Sequence, residues 1–490
     1  MMKVAVIGSG VGGLASAIRL AKLGCKVSVF EANDFVGGKV NEQWLGKYRF
    51  DMGPSVFTEP ALIDELIELC GKDLRMFSYR RLEESCRYFF DDGQQVIVPA
   101  GLEQTVVCFD KAFGEDPKRT RRFLKRLSKN YHALSPVFIQ ASLHRLKQWL
   151  NKGVFRALAR LPYYGMIRTM SAVNQGRFKN PKTAQVFNRM ATYNGSSPYR
   201  TPGLLNIISH LEFNDGPAMP IGGMVQISKT LHQLCLDLGV EFHLSERVEE
   251  ILHANNKVQG IRTSQKVVDC EIVVSNMDVH FTYERLLNGM HEPKKILEQE
   301  KSSSAIVFYW GMNTTFPELG VHNIFFAKDY EAEFESIFQT KTRYEDPTIY
   351  VHITSKVEKG DAPDGSENWF VMVNAPINVG QNWDEFVSET RRTCIAKLSK
   401  ALHKDLESYI EEEAQNEPRK IESVYFGKQG SIYGNSSNSA FSAFYRHPNF
   451  SKSLRGLYFA GVTVHPGGGI PLALNSAKIV ERCVREDFKR

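Results

Sequence analysis

The sequence lacks any hydrophobic run long enough to cross a membrane. Its 490 residues are 42% hydrophobic and 24% charged, which is typical of an ordinary folded protein. No uninterrupted apolar stretch reaches the roughly 18–20 residues that span a bilayer. The chain also contains no internal repeat and no low-complexity tract. A chain of this length is too long for one hydrophobic core, so we expect about two or three domains.

Paired cysteines are missing as well. The eight cysteines are scattered without a CxxC pair, and no group of Cys and His has the spacing of metal ligands. Cys25 and Cys270 lie in apolar, strand-like runs. We therefore expect core thiols in a reducing compartment and no metal site.

Acidic residues are absent from one long segment. Residues 117–211 contain no Asp or Glu but 18 Lys and Arg, whereas the rest of the chain carries 43 basic and 55 acidic residues. Such asymmetry is typical of a surface for an anionic partner, which can be nucleic acid, an acidic protein or anionic lipid. No nucleic-acid-binding motif accompanies the charge, so we do not expect nucleic acid.

The start of the chain contains a dinucleotide-binding pattern. An apolar strand over residues 4–7 leads into the letters GSGVGG at residues 8–13, then a helical pattern and a second strand that ends in Glu31. The alternative is a Gly-rich turn without a nucleotide, which the ordered strand, helix, strand and acid disfavour. Lys3 before small apolar residues also resembles an export signal, but cleavage would remove the pattern, so we expect no export.

The glycines of this pattern have separate roles. Gly8 permits the tight turn, Gly10 lets the backbone approach a pyrophosphate, and Gly13 lets the helix pack closely on the strand. The helix directs its free N–H groups and its positive dipole end at the phosphate. Glu31 is placed to accept hydrogen bonds from the ribose hydroxyls.

Two further glycine segments indicate a cofactor longer than a nicotinamide dinucleotide. Gly37, Gly38 and Lys39 combine close backbone approach with a positive charge. Near the other terminus, residues 467–471 read GGGIP and precede a helical pattern. Because Pro suits the first turn of a helix, the positive end of that helix faces whatever lies before it.

Together these segments resemble the bacterial phytoene-desaturase-type carotenoid desaturases, which are FAD enzymes of the amine-oxidase-like flavoprotein superfamily. The resemblance covers nearly the whole chain, and its C-terminal segment is more specific than the glycines at the front. It rests on residues 4–39, 220–224, 274–276, 457–461 and 465–471.

The resemblance implies an α/β, Rossmann-like FAD-binding fold, a substrate domain with a mixed or antiparallel sheet, and a helical, membrane-associating insertion. The implied boundaries are 1–75, 216–290 and 420–490 for the FAD domain, 76–116 and 291–419 for the substrate domain, and 117–215 for the basic helical subdomain. The implied FAD contacts are Gly8, Gly10, Gly12, Gly13, Glu31, Gly38, Lys39, Gly53, Pro54, Ser55, Gly222, Gly223, Met224, Val248, Asn276, Gly461, Gly468, Gly469, Ile470 and Pro471.

Residues 189–198 resemble the branch that acts on the C3–C4 bond of 1-hydroxylated carotenoids. Leu472 also stands where phytoene desaturases commonly continue with Gly. We favour the 3,4-desaturase branch over phytoene or diapophytoene desaturation. A soluble amine or porphyrinogen oxidase and a non-enzymatic prenyl-lipid carrier remain alternatives that share the cofactor fold.

The implied reaction removes two hydrogens across a C–C bond, as a hydride to the flavin and a proton, with oxygen or a quinone as the final electron acceptor. His465 is the candidate proton acceptor, although a His beside Pro in a glycine loop is as readily structural. Glu212 and Asp215, which end the acid-free segment, are weaker candidates, and water is the alternative to all three.

Residues 141–170 interleave apolar and aromatic side chains with cations such as Arg145 and Arg168. That composition is typical of a helix that lies in a membrane interface, and the alternative is a solvated basic face. Because a carotenoid substrate dissolves in the bilayer, we expect segment 117–211 to dock the protein peripherally on the cytoplasmic side of the cell membrane.

Overall fold

Two separate sheets organise the protein, and a large cavity lies between them. The computed structural model describes residues 1–142, 144–145, 153–154, 165–439, 442 and 445–488. The first strands are β1 Lys3–Ile7, β2 Lys26–Phe30, β3 Glu42–Leu45, β4 Tyr48–Asp51, β5 Tyr79–Arg81, β6 Glu84–Phe89, β7 Gln95–Pro99, β8 Ala218–Pro220, β9 Glu241–His243 and β10 Val248–Ala254. The later strands are β11 Lys257–Thr263, β12 Val267–Asp269, β13 Ile272–Ser275, β14 Ser304–Met312, β15 His322–Phe325, β16 Ile349–Ile353, β17 Glu367–Ala375, β18 Ile410–Asn416 and β19 Leu457–Phe459.

The helices pack on both sheets and form the basic subdomain. In the described part of the chain the α-helices are α1 Val11–Lys22, α2 Ala61–Leu69, α3 Leu102–Phe113, α4 Pro117–Leu134, α5 Met170–Arg177, α6 Pro181–Asn188, α7 Val225–Asp237, α8 Val279–Phe281, α9 Lys294–Leu297, α10 Tyr330–Glu335, α11 Trp383–Leu402, α12 Pro418–Tyr425 and α13 Ile470–Asp487. No helix within these residues is both long and apolar enough to cross a membrane.

The first sheet is parallel and has the strand order β19-β13-β1-β2-β9. Its strands come from the two ends and the middle of the chain, and all fall inside the three segments expected for the cofactor domain. Buried Val and Ile fill β1 and β13, as expected for a sheet covered on both faces. The hairpin of β10 and β11 turns at Asn255 and Asn256, whose positive φ angles suit a tight turn.

The second sheet has seven strands in the order β18-β14-β17-β16-β15-β6-β7. Its pairs are antiparallel except for β15 and β6, so the expected mixed or antiparallel substrate sheet is present. The acidic residues 411–413 show no strand signal, yet they form part of the edge strand β18. Glu413 is stabilised there because it accepts hydrogen bonds from Trp310 and Arg391. The exact domain boundaries remain a prediction.

The basic segment begins with α4, which buries one apolar face and exposes its cations. Phe123, Leu124 and Leu127 face the core, whereas Arg122 and Lys125 are exposed. The amphipathic stretch predicted over residues 141–170 lies mostly outside the described residues. Of its cations, Arg145 binds Asp487 through two hydrogen bonds of 2.8 Å and lies over the Phe450 ring. Arg145 is therefore tied to the C-terminal helix, which corrects the expectation that it lies among lipid headgroups.

Candidate functional site: a cofactor and substrate cavity

A cavity of about 690 Å³ runs from the parallel sheet to the seven-stranded sheet. At one end its wall consists of backbone and polar groups that follow β1, β13 and β19. At the other end its wall is the apolar face of the large sheet. Parallel strands present their carboxyl ends at one edge of a sheet, which is where open α/β folds bind ligands.

The turn after β1 forms a backbone cradle without side chains. Gly8 has a φ of +92°, which a residue with a side chain rarely adopts. A Cβ atom on Gly10 would lie 2.7 Å from the Asn276 side-chain oxygen, and one on Gly12 would lie 3.0 Å from the Gly461 backbone. No side chain caps the start of α1, so its first N–H groups are available to an anionic ligand.

Glu31 lines the cavity at the end of β2. One carboxylate oxygen accepts from the Ser9 backbone and hydroxyl at 2.8 Å, and the other accepts from the Asn33 backbone and amide at 3.0 and 2.9 Å. These four bonds match the lone-pair capacity of a carboxylate. A ribose hydroxyl that binds Glu31 would therefore have to displace one of these donors.

Lys39 is a half-buried cation in the cavity wall. Its ammonium group donates to the Ile432 carbonyl oxygen at 2.9 Å. Burial lowers the pKa of Lys39 to about 8, and the nearby Asp278 carboxylate partly opposes that shift. A negative group in the cavity would favour the charged form of Lys39.

The carboxyl ends of β13 and β19 meet at Asn276. Its amide donates to the Ala460 carbonyl oxygen at 3.0 Å and packs against Gly461. Beyond this point α13 begins at Ile470 with no side-chain cap, and Gly469, Ile470 and Pro471 line the cavity. The positive ends of α1 and α13 therefore border the same cavity, as the sequence predicted for both.

Several cavity residues were not anticipated from the sequence. Arg247 and Arg285 line the cavity, and both guanidinium groups lie over the Phe426 ring, at 5.4 and 5.7 Å. Asp278 also lines it, two residues after Asn276. The sequence offered a signal for two of these residues. Arg247 directly precedes the predicted contact Val248, and Asp278 follows the predicted contact Asn276 by two residues. Arg285 had none, because only the packing of the chain after β13 brings it to this wall.

The opposite wall is a row of side chains that pair directly across five strands. Strand register places them side by side in the order Asn416, Val307, Met372, Tyr350 and Ile324. All five line the cavity. Side chains alternate between the faces of a strand, so this single face presents a largely apolar surface to a ligand.

A buried polar cluster closes this end of the cavity. Glu212 forms an ion pair with Arg189 and accepts from the Tyr193 hydroxyl at 2.6 Å. The Tyr350 hydroxyl is hydrogen-bonded at 2.8 Å to His322, whose pKa is lowered by burial to about 4. Arg189 and Glu212 pair their charges, so the cluster completes the wall without an unpaired charge, although the Arg189 Nε atom itself has no hydrogen-bond partner among the described residues.

The parallel sheet, the glycine cradle and the two helix starts are features shared with a known family. The family described as flavin containing amine oxidoreductases matches residues 11–484. The chain belongs to this family. Membership confirms the predicted α/β flavoprotein fold and the oxidoreductase class, with FAD as the cofactor.

Individual relatives cover nearly the whole chain. A 1-hydroxycarotenoid 3,4-desaturase of Flavobacterium sp. (strain P99-3) is 46% identical over 98% of both chains. A 4,4'-diapolycopene oxygenase of Methylomonas sp is 30% identical over 99% of both chains. Among solved structures, cyclohexylamine oxidase from Brevibacterium oxydans IH-35A has a TM-score of 0.64 and 14% identity over 100% of both chains. That likeness concerns the fold alone.

The residues of this family member fit FAD. A dinucleotide with two phosphates and a long ring system needs an anion cradle, a ribose acceptor and an elongated space. The α1 start, Glu31 and the cavity supply these three features. Gly38, Gly53, Pro54, Ser55, Val248, Asn276 and Gly461 also line the cavity.

Five of the predicted FAD contacts do not line this flavoprotein's cavity. Gly13 packs against the Gly8 carbonyl oxygen, which matches its expected role between helix and strand. Gly468 lies beneath the Tyr433 ring. The other three are Gly222, Gly223 and Met224.

The segment at residues 222–224 instead holds a buried ion network. Gly223 leaves room for the Arg49 guanidinium, and the Met224 backbone N–H donates to Asp51 at 3.0 Å. Arg49 binds Asp51 at 2.9 Å and Asp361 at 2.6 Å. The glycines do allow a close approach to the backbone, as expected, but the group that approaches is the Arg49 guanidinium rather than the cofactor.

None of the three predicted proton acceptors lines the cavity. His465 is 1% exposed, its Nε2 atom is 2.9 Å from the Ala141 carbonyl oxygen, and burial lowers its pKa to about 3. Glu212 is enclosed by Arg189 and Tyr193, and Asp215 is a half-exposed partner of His210. The geometry does not place any of these groups beside the reacting atoms. The described residues also contain no cluster of groups that could hold a metal ion.

Proposed function

We propose that the protein is a carotenoid desaturase that introduces the C3–C4 double bond of a 1-hydroxylated carotenoid. The observation that carries this proposal is the continuity of the apolar sheet face with the FAD end of one cavity. Such a surface suits a long hydrocarbon and not a small polar amine. The 46% identity to a 1-hydroxycarotenoid 3,4-desaturase over 98% of both chains supports the same substrate.

The reaction converts the C3–C4 single bond into a double bond. One of the two carbons loses a hydride and the other loses a proton, so two electrons and two hydrogens leave the substrate. Bound FAD supplies the acceptor for the hydride. Oxygen or a quinone then takes the electrons. The proton leaves to an acceptor other than His465, Glu212 and Asp215, because none of these three side chains lines the cavity.

The chain itself contributes positioning, electrostatics and exclusion of water. The uncapped start of α13 and the Lys39 ammonium place positive potential beside the cofactor end, which stabilises negative charge that develops there. Val307, Met372 and Ile324 hold the hydrocarbon against the sheet and keep water from the reacting carbons.

Product analysis tests the proposed reaction. The purified FAD protein is incubated with a 1-hydroxylated acyclic carotenoid, the same carotenoid without the hydroxyl, and phytoene. We expect the hydroxylated substrate to lose two mass units and to absorb at longer wavelength, with flavin bleaching in the absence of an acceptor. An oxygenated product, as the names of the 30% identical relatives would suggest, or turnover of an amine would contradict the proposal.

We further propose that the basic segment docks the protein on the cytoplasmic face of the membrane, so that the substrate enters directly from the bilayer. The exposed cations of α4 and the 96% exposed Ile167 support this proposal. Cations at headgroup level and apolar side chains below them are the pattern of an interfacial anchor.

Vesicle sedimentation tests the docking proposal. We expect binding to vesicles with 30% anionic lipid that weakens as salt rises, and about a tenfold loss of affinity when Arg122, Lys125 and Lys129 are changed to Glu. A matched triple change of Lys341, Lys359 and Lys452 to Glu, outside the basic segment, is expected to bind normally. Equal loss in both variants, or no binding by the unaltered protein, would contradict docking through this segment.

A further inference from the structure

Two motifs that are far apart in the sequence meet at the Tyr433 ring. Gly195 belongs to the segment that resembles the 3,4-desaturase branch, and Gly468 belongs to the C-terminal signature. A Cβ atom on Gly195 would lie 2.9 Å from one edge of the Tyr433 ring, and one on Gly468 would collide with the other edge. Because neither glycine has a side chain, the Tyr433 ring fits between them, and this packing restricts the orientation of the ring.

Tyr433 lies at the boundary between the cofactor and substrate ends of the cavity. The preceding residue, Ile432, accepts the hydrogen bond from Lys39, and the Tyr433 backbone N–H donates to the Ser302 hydroxyl at 3.0 Å. Tyr433 itself lines the cavity, as do Gly469 and Ile470 beyond its partner Gly468.

The Tyr433 hydroxyl forms no hydrogen bond with any residue in the described part of the chain, and it is not among the fully enclosed polar atoms. The hydroxyl is therefore accessible, on a residue that lines the cavity. Of the other tyrosines that line the cavity, Tyr193 donates to Glu212 and Tyr350 is hydrogen-bonded to His322, whereas Tyr330 and Tyr425 have no hydrogen-bond partner for their hydroxyls in the described part of the chain. Burial raises the pKa of Tyr433 to about 12, so the phenol keeps its proton and can donate it in a hydrogen bond.

We propose that the Tyr433 hydroxyl hydrogen-bonds the C1 hydroxyl of the substrate and thereby selects hydroxylated over unhydroxylated carotenoids. This inference rests on the proposed function. The carbon that bears the substrate hydroxyl is only two bonds from C3, so its partner must lie where the substrate meets the cofactor. Tyr433 has that position, because it packs on Gly468 just before the start of α13. Tyr330, whose hydroxyl is also unpaired, instead packs against Phe326 and Phe334, which follow β15 of the substrate sheet.

The physical basis of the selectivity is the cost of an unpaired polar group. A substrate hydroxyl that leaves water for this largely apolar cavity needs a new partner. Conversely, a hydrocarbon end group would leave the phenol buried and unpaired. A site built to hydrogen-bond a substrate hydroxyl rejects the analogue without it far more strongly than an apolar pocket rejects an added methylene.

The test compares kcat/KM for the 1-hydroxylated carotenoid and for its unhydroxylated analogue, in the FAD-loaded wild type and in Tyr433→Phe. We expect the wild type to prefer the hydroxylated substrate by about tenfold or more. In Tyr433→Phe that preference falls to about twofold or less, mainly because the hydroxylated substrate reacts more slowly. The control Tyr199→Phe removes a hydroxyl outside the cavity lining and keeps the wild-type ratio.

Bound FAD content and the flavin spectrum verify that Tyr433→Phe is folded, and dissociation constants of the two carotenoids, measured without turnover, give a second readout. A Tyr433→Phe ratio equal to that of the wild type, in both kinetics and binding, overturns the inference and leaves the proposed function intact. An unselective wild type also overturns it. A wild type that desaturates neither carotenoid overturns the proposed function itself.

Discussion

The two ends of the cavity are built in different ways. The cofactor end uses backbone: glycines without side chains, two uncapped helix starts and the strand ends of a parallel sheet. The substrate end uses side chains from neighbouring strands of the seven-stranded sheet. A backbone site tolerates little change, because any added Cβ atom fills the space of the ligand or of another chain segment. A side-chain wall can change its specificity while the fold stays intact.

The largest expected effect comes from a substitution that disrupts the cofactor end. In Gly13→Val the new side chain would collide with the Gly8 carbonyl oxygen, so α1 could no longer pack on β1. We expect loss of nearly all bound FAD and a fall of about 3 kcal/mol or more in the free energy of unfolding. The flavin-to-protein absorbance ratio and urea unfolding measure both effects. Gly360→Val, at a position with open space around it, is the control, and normal FAD content in Gly13→Val would refute this reading.

The next largest effect comes from Arg49, which binds Asp51 and Asp361 and packs against Gly223. Arg49→Met leaves the Asp51 and Asp361 carboxylates buried without their cation. Removing one partner of a buried ion network costs about 3–5 kcal/mol. Urea unfolding measures the loss, and Arg75→Met, whose pair with Asp73 is exposed, is expected to change little. Equal stability of the Arg49 and Arg75 variants would show that the network is not structural.

A smaller effect depends on pH at the cofactor end. Lys39 has a pKa of about 8 in the folded protein and an ordinary value of 10.5. Between these values the unfolded chain binds more protons, so the contribution of Lys39 to stability rises with pH. In the FAD-free protein we expect the stability of wild type relative to Lys39→Met to increase by about 2 kcal/mol from pH 8 to pH 10.5. Parallel pH profiles for the two proteins would contradict the buried position of this ammonium group.

The smallest effect is confined to the substrate end. Met372→Phe adds bulk to the apolar row, so we expect about a tenfold lower kcat/KM for the carotenoid with unchanged FAD content. Met372→Leu, which nearly conserves volume, is the matched control and is expected to stay within about twofold of wild type. A loss of FAD in Met372→Phe would show that the two ends are not independent.

Much of the cofactor end could be predicted from the sequence because its parts are local. Gly8, Gly10 and Glu31 belong to one strand–helix–strand unit, and Ile470 and Pro471 mark a helix start by themselves. Where such reasoning failed, the local feature of the sequence was recognised correctly, but the group that it contacts was predicted wrongly. Gly223 does permit a close approach, but of Arg49, and His465 packs against the Ala141 carbonyl oxygen instead of the cavity.

The sequence by itself therefore determined the nucleotide-binding unit, because that unit depends on short-range periodicity and on glycines at fixed spacing. Its resemblance to a known family implied the mixed or antiparallel substrate sheet. Only the tertiary structure decided what meets across the cavity. The row from Asn416 to Ile324 exists because strand register aligns residues from five strands. Likewise Gly195, Tyr433 and Gly468 form one contact, which no local pattern encodes because sequence separation says nothing about which surfaces pack together.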